Sequence, residues 1–237
     1  MDFLLQLNWF AVGQIILIDL LLGGDNAIVI ALACRNLPEH LRLKGVLWGT
    51  AGAIVIRIAL ISFAMSVLQM PWIKLVGGVL LLWIGVKLFA DDDQGHDDIP
   101  ANDRLFAAIR TIVLADMVMS IDNVVAVASA AEHAGGNQFA LVVFGILVSI
   151  PIIVWGSTLV LKLMSQFPLI IALGAALLGY LGGAMIFTDA AVHPWLTAHW
   201  PRHDMHIPLL ALQLNLPGLF GAVLVLGIGR IMSRKSH

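Results

Sequence analysis

Charge is scarce in this chain. Of 237 residues only 12% are Asp, Glu, Lys or Arg, and the net charge is -2, whereas an ordinary soluble domain is about a quarter charged. A nucleic-acid partner is therefore not expected, and no polybasic arm, Walker loop or dinucleotide fingerprint is visible. Cysteine is almost missing too. Cys34 stands alone, which excludes disulfides within the chain and thiolate clusters. No Lys-rich leader ends in a small-residue cleavage site, so the first apolar span is expected to be retained. There is no HExxH motif and no Ser–His pair within the apolar spans, so no enzymatic activity and no cofactor are expected.

Apolar residues fill the space that charge leaves. They make up 60% of the chain, in recurring stretches of about twenty residues, long enough to cross a bilayer as helices. The pattern predicts an all-α polytopic membrane protein with seven transmembrane helices, at 11–33, 43–66, 71–90, 105–129, 138–161, 168–188 and 207–229. With the N-terminus outside, ten Lys and Arg residues fall on the cytoplasmic side or adjoining helix ends. Only Lys74 and Arg202 fall outside, and Arg57 lies within the second span. That excess places the C-terminus in the cytoplasm.

One acidic signature occurs twice, each time inside an apolar span. The first copy runs from Asp19 to Gly23-Gly24-Asp25-Asn26, and the second from Asp116 to Ser120-Ile121-Asp122-Asn123. A carboxylate at the centre of a membrane helix costs roughly 3 kcal/mol on insertion scales. Arg57, the one comparable base within a span, cannot balance four. Metal ions, protons or water must neutralise the others. An ion pair of Arg57 with one Asp, released as the protein changes state, is a further expectation.

The two copies belong to a longer duplication. Asp19 and Asp116 are 97 residues apart, and so are Asp25 and Asp122, Asn26 and Asn123, Pro71 and Pro168, Gly77 and Gly174, and Gly85 and Gly182. The offset pairs a first three-helix repeat, 11–90, with a second, 105–188, inside one transmembrane domain, 1–230. An acidic cytoplasmic loop, 91–104, joins the repeats, and a seventh helix, 207–230, stands outside them. Three spans per repeat make the second enter the membrane from the opposite side, the inverted arrangement of many secondary transporters. Spans one and four would then bring Asp25-Asn26 and Asp122-Asn123 to one central point.

Carboxylates and carboxamides are hard oxygen donors, suited to magnesium, calcium or manganese. Asp25, Asn26, Asp122 and Asn123 are the first choices as metal ligands, with Asp19 and Asp116 completing the shell or taking up protons. Gly23-Gly24 predicts either a broken helix that exposes backbone to the ion or close helix packing. Met117 and Met119 are expected to pack, with a thioether ligand role as the rival. The Asp91–Asp98 run reads as a solvated linker. The outer loop carrying His193, His199, His203 and His206 reads as interfacial, with capture of divalent ions or a pH response as alternatives.

The signatures Gly23-Gly24-Asp25-Asn26-Ala27 and Ser120-Ile121-Asp122-Asn123-Val124 resemble those of the TerC family of integral membrane proteins. The length, the seven spans and the acidic loop after span three resemble its short bacterial branch. The resemblance implies a multi-pass protein of the bacterial plasma membrane that exports manganese and protects the cell from excess metal. It maps the family's acidic membrane positions onto Asp19, Asp25, Asp116 and Asp122. Transport by proton exchange fits such carboxylates. The partners implied are a divalent cation, protons and the lipid bilayer. The alternatives are an exporter of small amino acids or organic cations, and a membrane scaffold that assists metallation of exported enzymes.

Overall fold

In the computed structural model, residues 9–62, 70–90, 100–132, 138–199, 204–207 and 212–235 are described. They form eight helices and one small hairpin: α1 Trp9–Cys34, α2 Glu39–Ser62, α3 Ile73–Ala90, α4 Ala101–Glu132, α5 Gln138–Gln166, α6 Leu169–Phe187, α7 His193–His199, β1 Asp204–Ile207, β2 Leu212–Asn215 and α8 Leu216–Lys235. Five stretches are long and apolar enough to cross a membrane: Glu39–Ser62, Ile73–Ala90, Val143–Gln166, Leu169–Phe187 and Leu216–Ser233. Large apolar side chains such as Trp48, Val55, Trp155 and Val223 lie exposed on them, as a lipid-facing surface requires. The protein is thus an all-α polytopic membrane protein, the hairpin aside. The remaining long helices, α1 and α4, carry the two acidic signatures.

Two expectations need correction. The last span was placed at 207–229, but Ile207 ends a strand and the helix begins at Leu216. β1 and β2 pair antiparallel, with Asp204 opposite Asn215. Asn215 then caps α8, its Oδ1 accepting the Gly218 N–H at 3.1 Å, which supplies an acceptor to an otherwise orphaned donor. The expected helix break at Gly23-Gly24 is also absent. α1 runs unbroken through both glycines, and α4 runs unbroken through Met119 and Ser120. The apolar residues on either side sustain the helix, since a glycine costs only about 1 kcal/mol there. The linker Asp91–Asp98 lies outside the described residues.

The chain divides into two compact units, Met1–Ala64 with Leu105–Lys162, and Met65–Arg104 with Leu163–His237. Each takes corresponding segments from both sides of the 97-residue offset. The first unit holds α1, α2 and most of α4 and α5. Here α2 presents its small-residue face, Gly45, Gly49, Thr50 and Ala53. A Cβ at Gly49 would stand 2.4 Å from Ile112 Cδ1 and one at Gly52 2.8 Å from Val113 Cγ2, so α2 lies close against α4.

The second unit holds α3, α6 and α8. α3 and α6 pack antiparallel. Gly78 meets Gly182 backbone to backbone, while Gly85 meets Ala175 and Leu178. Adding 97 to 78 and 85 gives 175 and 182, so each contact maps onto the other. α8 crosses α6 as closely. A Cβ at Gly221 would stand 2.1 Å from the Gly179 carbonyl, and one at Gly183 2.3 Å from that of Pro217. Small residues permit such approach between membrane helices, and Val86, Ala175 and Val225 fill the core.

One charged side chain works inside the second unit. Asp189, just past α6, is buried. Its carboxylate accepts N–H bonds from Trp72 at 3.2 Å, Lys74 at 3.1 Å, Leu75 at 3.1 Å and Ala191 at 2.9 Å. Three of these donors belong to the start of α3, where N–H groups have no helical partner and a negative charge is favoured. The contact also holds Trp72 at φ 72°, a left-handed conformation that costs a bulky residue about 1–2 kcal/mol. Burial alone would raise the pKa of Asp189, but the N–H donors outweigh it and hold the carboxyl below its usual range.

Candidate functional site

The acidic signatures lie on α1 and α4, both within the first unit. In an unbroken helix, seven residues make almost two turns. Positions 19 and 26 therefore fall on one side of α1, and positions 116 and 123 on one side of α4, while 25 and 122 are turned away by roughly 120°. The buried side chains follow this phase. Asn26 is 3% exposed and Asp116 5%, whereas Asp25 and Asn123 are half-buried. The side chains of Asp19 and Asp122 lie outside the described residues.

Asp116 is engaged. Arg57, projecting from α2 and itself buried, donates from Nη2 to Asp116 Oδ1. Its Nε donates to Ser120 Oγ at 3.2 Å. Ser120, wholly buried one helical turn beyond Asp116, donates from Oγ to Asp116 Oδ2 at 3.2 Å. Both carboxylate oxygens thus have a donor, and guanidinium, hydroxyl and carboxylate close a ring. Such closure lets an ion pair survive burial, since the desolvation cost must be offset by good geometry and further hydrogen bonds.

Asn26 is the opposite case. Neither its Oδ1 nor its Nδ2 has a hydrogen-bond partner among the described residues, although both are buried. Most buried polar side-chain atoms in proteins are paired, and an unpaired one costs about 1–3 kcal/mol. Next to it Asp25 accepts the Asn26 backbone N–H on Oδ1 at 2.8 Å. Asp25 also lies within electrostatic reach of both Arg57 and Asp116, so the two signatures approach one another. Gly24 adds space here, since a Cβ on it would meet nothing within 4 Å. The close-packing role considered for the glycine pair therefore does not hold at Gly24. On α2, Thr50 is buried with its hydroxyl oxygen unpartnered.

Of the residues singled out from sequence, the structure brings Asp25, Asn26, Asp116 and Arg57 into one neighbourhood, with the expected ion pair of Arg57 falling on Asp116, and it adds Ser120 as a partner of both. No cluster of three or more His, Cys, Asp or Glu occurs among the described residues. Met119 is buried and Met117 half-buried. His193 packs edge-on against Phe187, and His199 stacks on Trp195 while bonding its carbonyl. Sequence reasoning missed Asp189 and the joint role of Ser120. The spacing of four between Asp116 and Ser120 was the one available signal, as residues so spaced face each other on a helix.

These features define a polytopic membrane protein with polar and acidic groups gathered between apolar helices. The chain belongs to the TerC family: the profile of the integral membrane protein TerC family matches residues 4–235. It is 44% identical to the membrane protein YjbE of Bacillus subtilis (strain 168) over 183 residues, covering 77% of this chain and 81% of that protein. Identity to YceF of the same organism is 28% over 134 residues, 53% of this chain and 52% of the other. The inner membrane protein YgdQ of Escherichia coli (strain K12) is 22% identical over 202 residues, 78% of this chain and 83% of that one. No solved structure matches. Its apolar helices and these relatives place the chain in the bacterial plasma membrane as a multi-pass protein concerned with transport.

Proposed function

We propose that the protein is a secondary transporter that exports a divalent metal ion, Mn2+ foremost, from the cytoplasm in exchange for protons. The observation that carries this reading is Asn26, a buried carboxamide with neither polar atom partnered among the described residues, beside Asp25 and near a second carboxylate. An oxygen donor left open next to an acidic group is the chemistry of a hard-cation site. Asp122, Asn123 and Asp19 complete the shell in this reading, and Asp116 enters it from its ion pair.

Seven helices cross the bilayer in this proposal, α1 to α6 and α8, with the N-terminus outside. α1 is 26 residues long and α4 is 32, about 39 and 48 Å at 1.5 Å per residue, enough for a hydrocarbon core of about 30 Å. The antiparallel α3–α6 pair, whose contacts map onto each other through the offset of 97, supports the inverted repeat. An amino acid is a poorer substrate. Its carboxylate would need a base, and Arg57 is already committed to Asp116 and Ser120.

The test is flux. Purified protein sealed into vesicles is expected to carry Mn2+, with flux lost in Asp25→Asn and Asp122→Asn. Collapse of the flux with the proton gradient would support exchange, and unchanged flux would refute it. Absence of Mn2+, Ca2+ and Mg2+ flux from folded wild type would favour the organic-cation or scaffold readings.

A further inference from the structure

We infer that Arg57 is a tethered counter-cation of the proposed metal site, holding Asp116 while the site is empty and yielding that carboxylate when a divalent ion enters beside Asp25 and Asn26. The inference rests on reading that neighbourhood as a cation site.

Three observations carry it. First, both Asp116 oxygens are engaged, one held by Arg57 and the other by Ser120. A divalent ion bound at that carboxylate would stand close to the guanidinium, and the two cations would repel each other. Second, Asp25 lies within electrostatic reach of the Arg57–Asp116 pair, while the neighbouring Asn26 side chain has no hydrogen-bond partner among the described residues. An ion arriving there repels the guanidinium and attracts the carboxylate, so both effects favour the exchange. Third, the pair breaks the duplication. Ninety-seven residues from Asp116 stands Asp19, but the counterparts of Arg57 and Ser120 are Val154 and Gly23. In the sequence the carboxylate is duplicated, and the Arg and Ser that hold Asp116 are not. A packing role shared by both halves would have no reason to be served on one side alone.

The arrangement has a physical use. An empty cavity of uncompensated carboxylates is costly in a low dielectric, and a cavity that binds its ion too tightly does not release it. A guanidinium on a flexible arm relieves the first problem and limits the second. It remains charged throughout, because arginine does not deprotonate in proteins.

The test is Mn2+ affinity and Mn2+-induced thermal shift of the purified protein in detergent, for wild type, Arg57→Gln, Arg57→Gln/Asp116→Asn and Ser120→Ala. Arg57→Gln frees a carboxylate and removes a positive charge. It is expected to melt lower without metal, to bind Mn2+ about tenfold tighter or more, and to gain more from added Mn2+ than wild type does. The double variant is expected to lose that gain. Ser120→Ala, which loosens the grip on Asp116 without a charge change, is expected to bind Mn2+ about threefold tighter, and it decides the matter if Arg57→Gln does not fold. Equal affinity in wild type, Arg57→Gln and Ser120→Ala would make the ion pair a structural contact and overturn the inference. A folded wild type that binds no Mn2+ would instead overturn the reading of the site.

Discussion

The two units of this protein are held by different means. In the second unit, α3, α6 and α8 meet through glycines at backbone distance, and the buried carboxylate of Asp189 accepts four N–H bonds. In the first, α2 and α4 join Arg57, Asp116 and Ser120 in a ring, and Asn26 and Thr50 have polar atoms without a partner among the described residues. The second unit holds its buried carboxylate with backbone donors, while the first places an ion pair beside side chains, Asn26 and Thr50, that lack a partner among the described residues. Groups left unsatisfied in a membrane are a cost retained where function needs it. In the proposed function the ion site belongs to the first unit, where both acidic signatures lie.

The contrast breaks most readily at Gly221. A Cβ there would stand 2.1 Å from the Gly179 carbonyl, a backbone atom that can move only if α6 and α8 separate. Gly221→Val should cost more than about 3 kcal/mol, beyond the usual overpacking range. The expected outcome is loss of monodisperse protein on size exclusion, with Gly179→Val behaving alike. Recovery of stable Gly221→Val would show that the second unit is not packed as rigidly as its glycines imply.

Asp189 ranks next. Asp189→Asn keeps an acceptor oxygen but removes the charge facing the first turn of α3, and should cost about 1.5–3 kcal/mol, the range for hydrogen bonds to charged groups. Because the donors lower the Asp189 pKa in the folded state, its contribution is fully present above the unfolded value of about 3.9 and is lost as pH falls through the lower folded one. Thermal midpoints across pH 8 to 3 should therefore show no Asp189-dependent change down to about pH 4. Below that, the gap between wild type and Asp189→Asn should narrow. A gap that closes near pH 6 would contradict this assignment.

Much of the fold was legible in the sequence because membrane helices announce themselves. The expected spans 71–90 and 168–188 differ from α3 and α6 by two residues or fewer at each end, since proline starts both and the apolar runs are continuous. The acidic signatures stood out because their residue types are rare in such runs. Asp189 did not. Its donors at Trp72, Lys74 and Leu75 lie 114 to 117 residues away, and no local periodicity encodes a contact so distant. The hairpin before α8 was hidden by Leu209 and Leu210, whose apolar character extends the following helix in a hydropathy reading. The glycine pair misled for another reason: two glycines lower helix propensity without forbidding the helix.

Ser120→Ala probes the first unit alone. It removes one hydroxyl that both accepts from Arg57 and donates to Asp116. The ion pair itself remains, so the loss in stability should be about 1 kcal/mol, read as a small drop in thermal midpoint without metal. A loss comparable to that of Asp189→Asn would mean that the ring stabilises the first unit as strongly as the Asp189 contact stabilises the second. The contrast between them would then weaken.

Gly24→Ala should have the smallest effect and the most instructive sign. Gly24 is exposed in mid-helix, and nothing lies within 4 Å of an added Cβ. In such a setting alanine is favoured over glycine by about 0.5–1 kcal/mol, because glycine loses more backbone freedom on folding. The thermal midpoint should therefore rise slightly. If the space beside Asp25 admits the ion, Mn2+ flux in vesicles should fall in the same variant, an exchange of activity for stability. A rise in stability with flux unchanged would remove Gly24 from the ion's route. A fall in stability would mean that the glycine serves packing after all, and that the first unit resembles the second more closely than its polar residues imply.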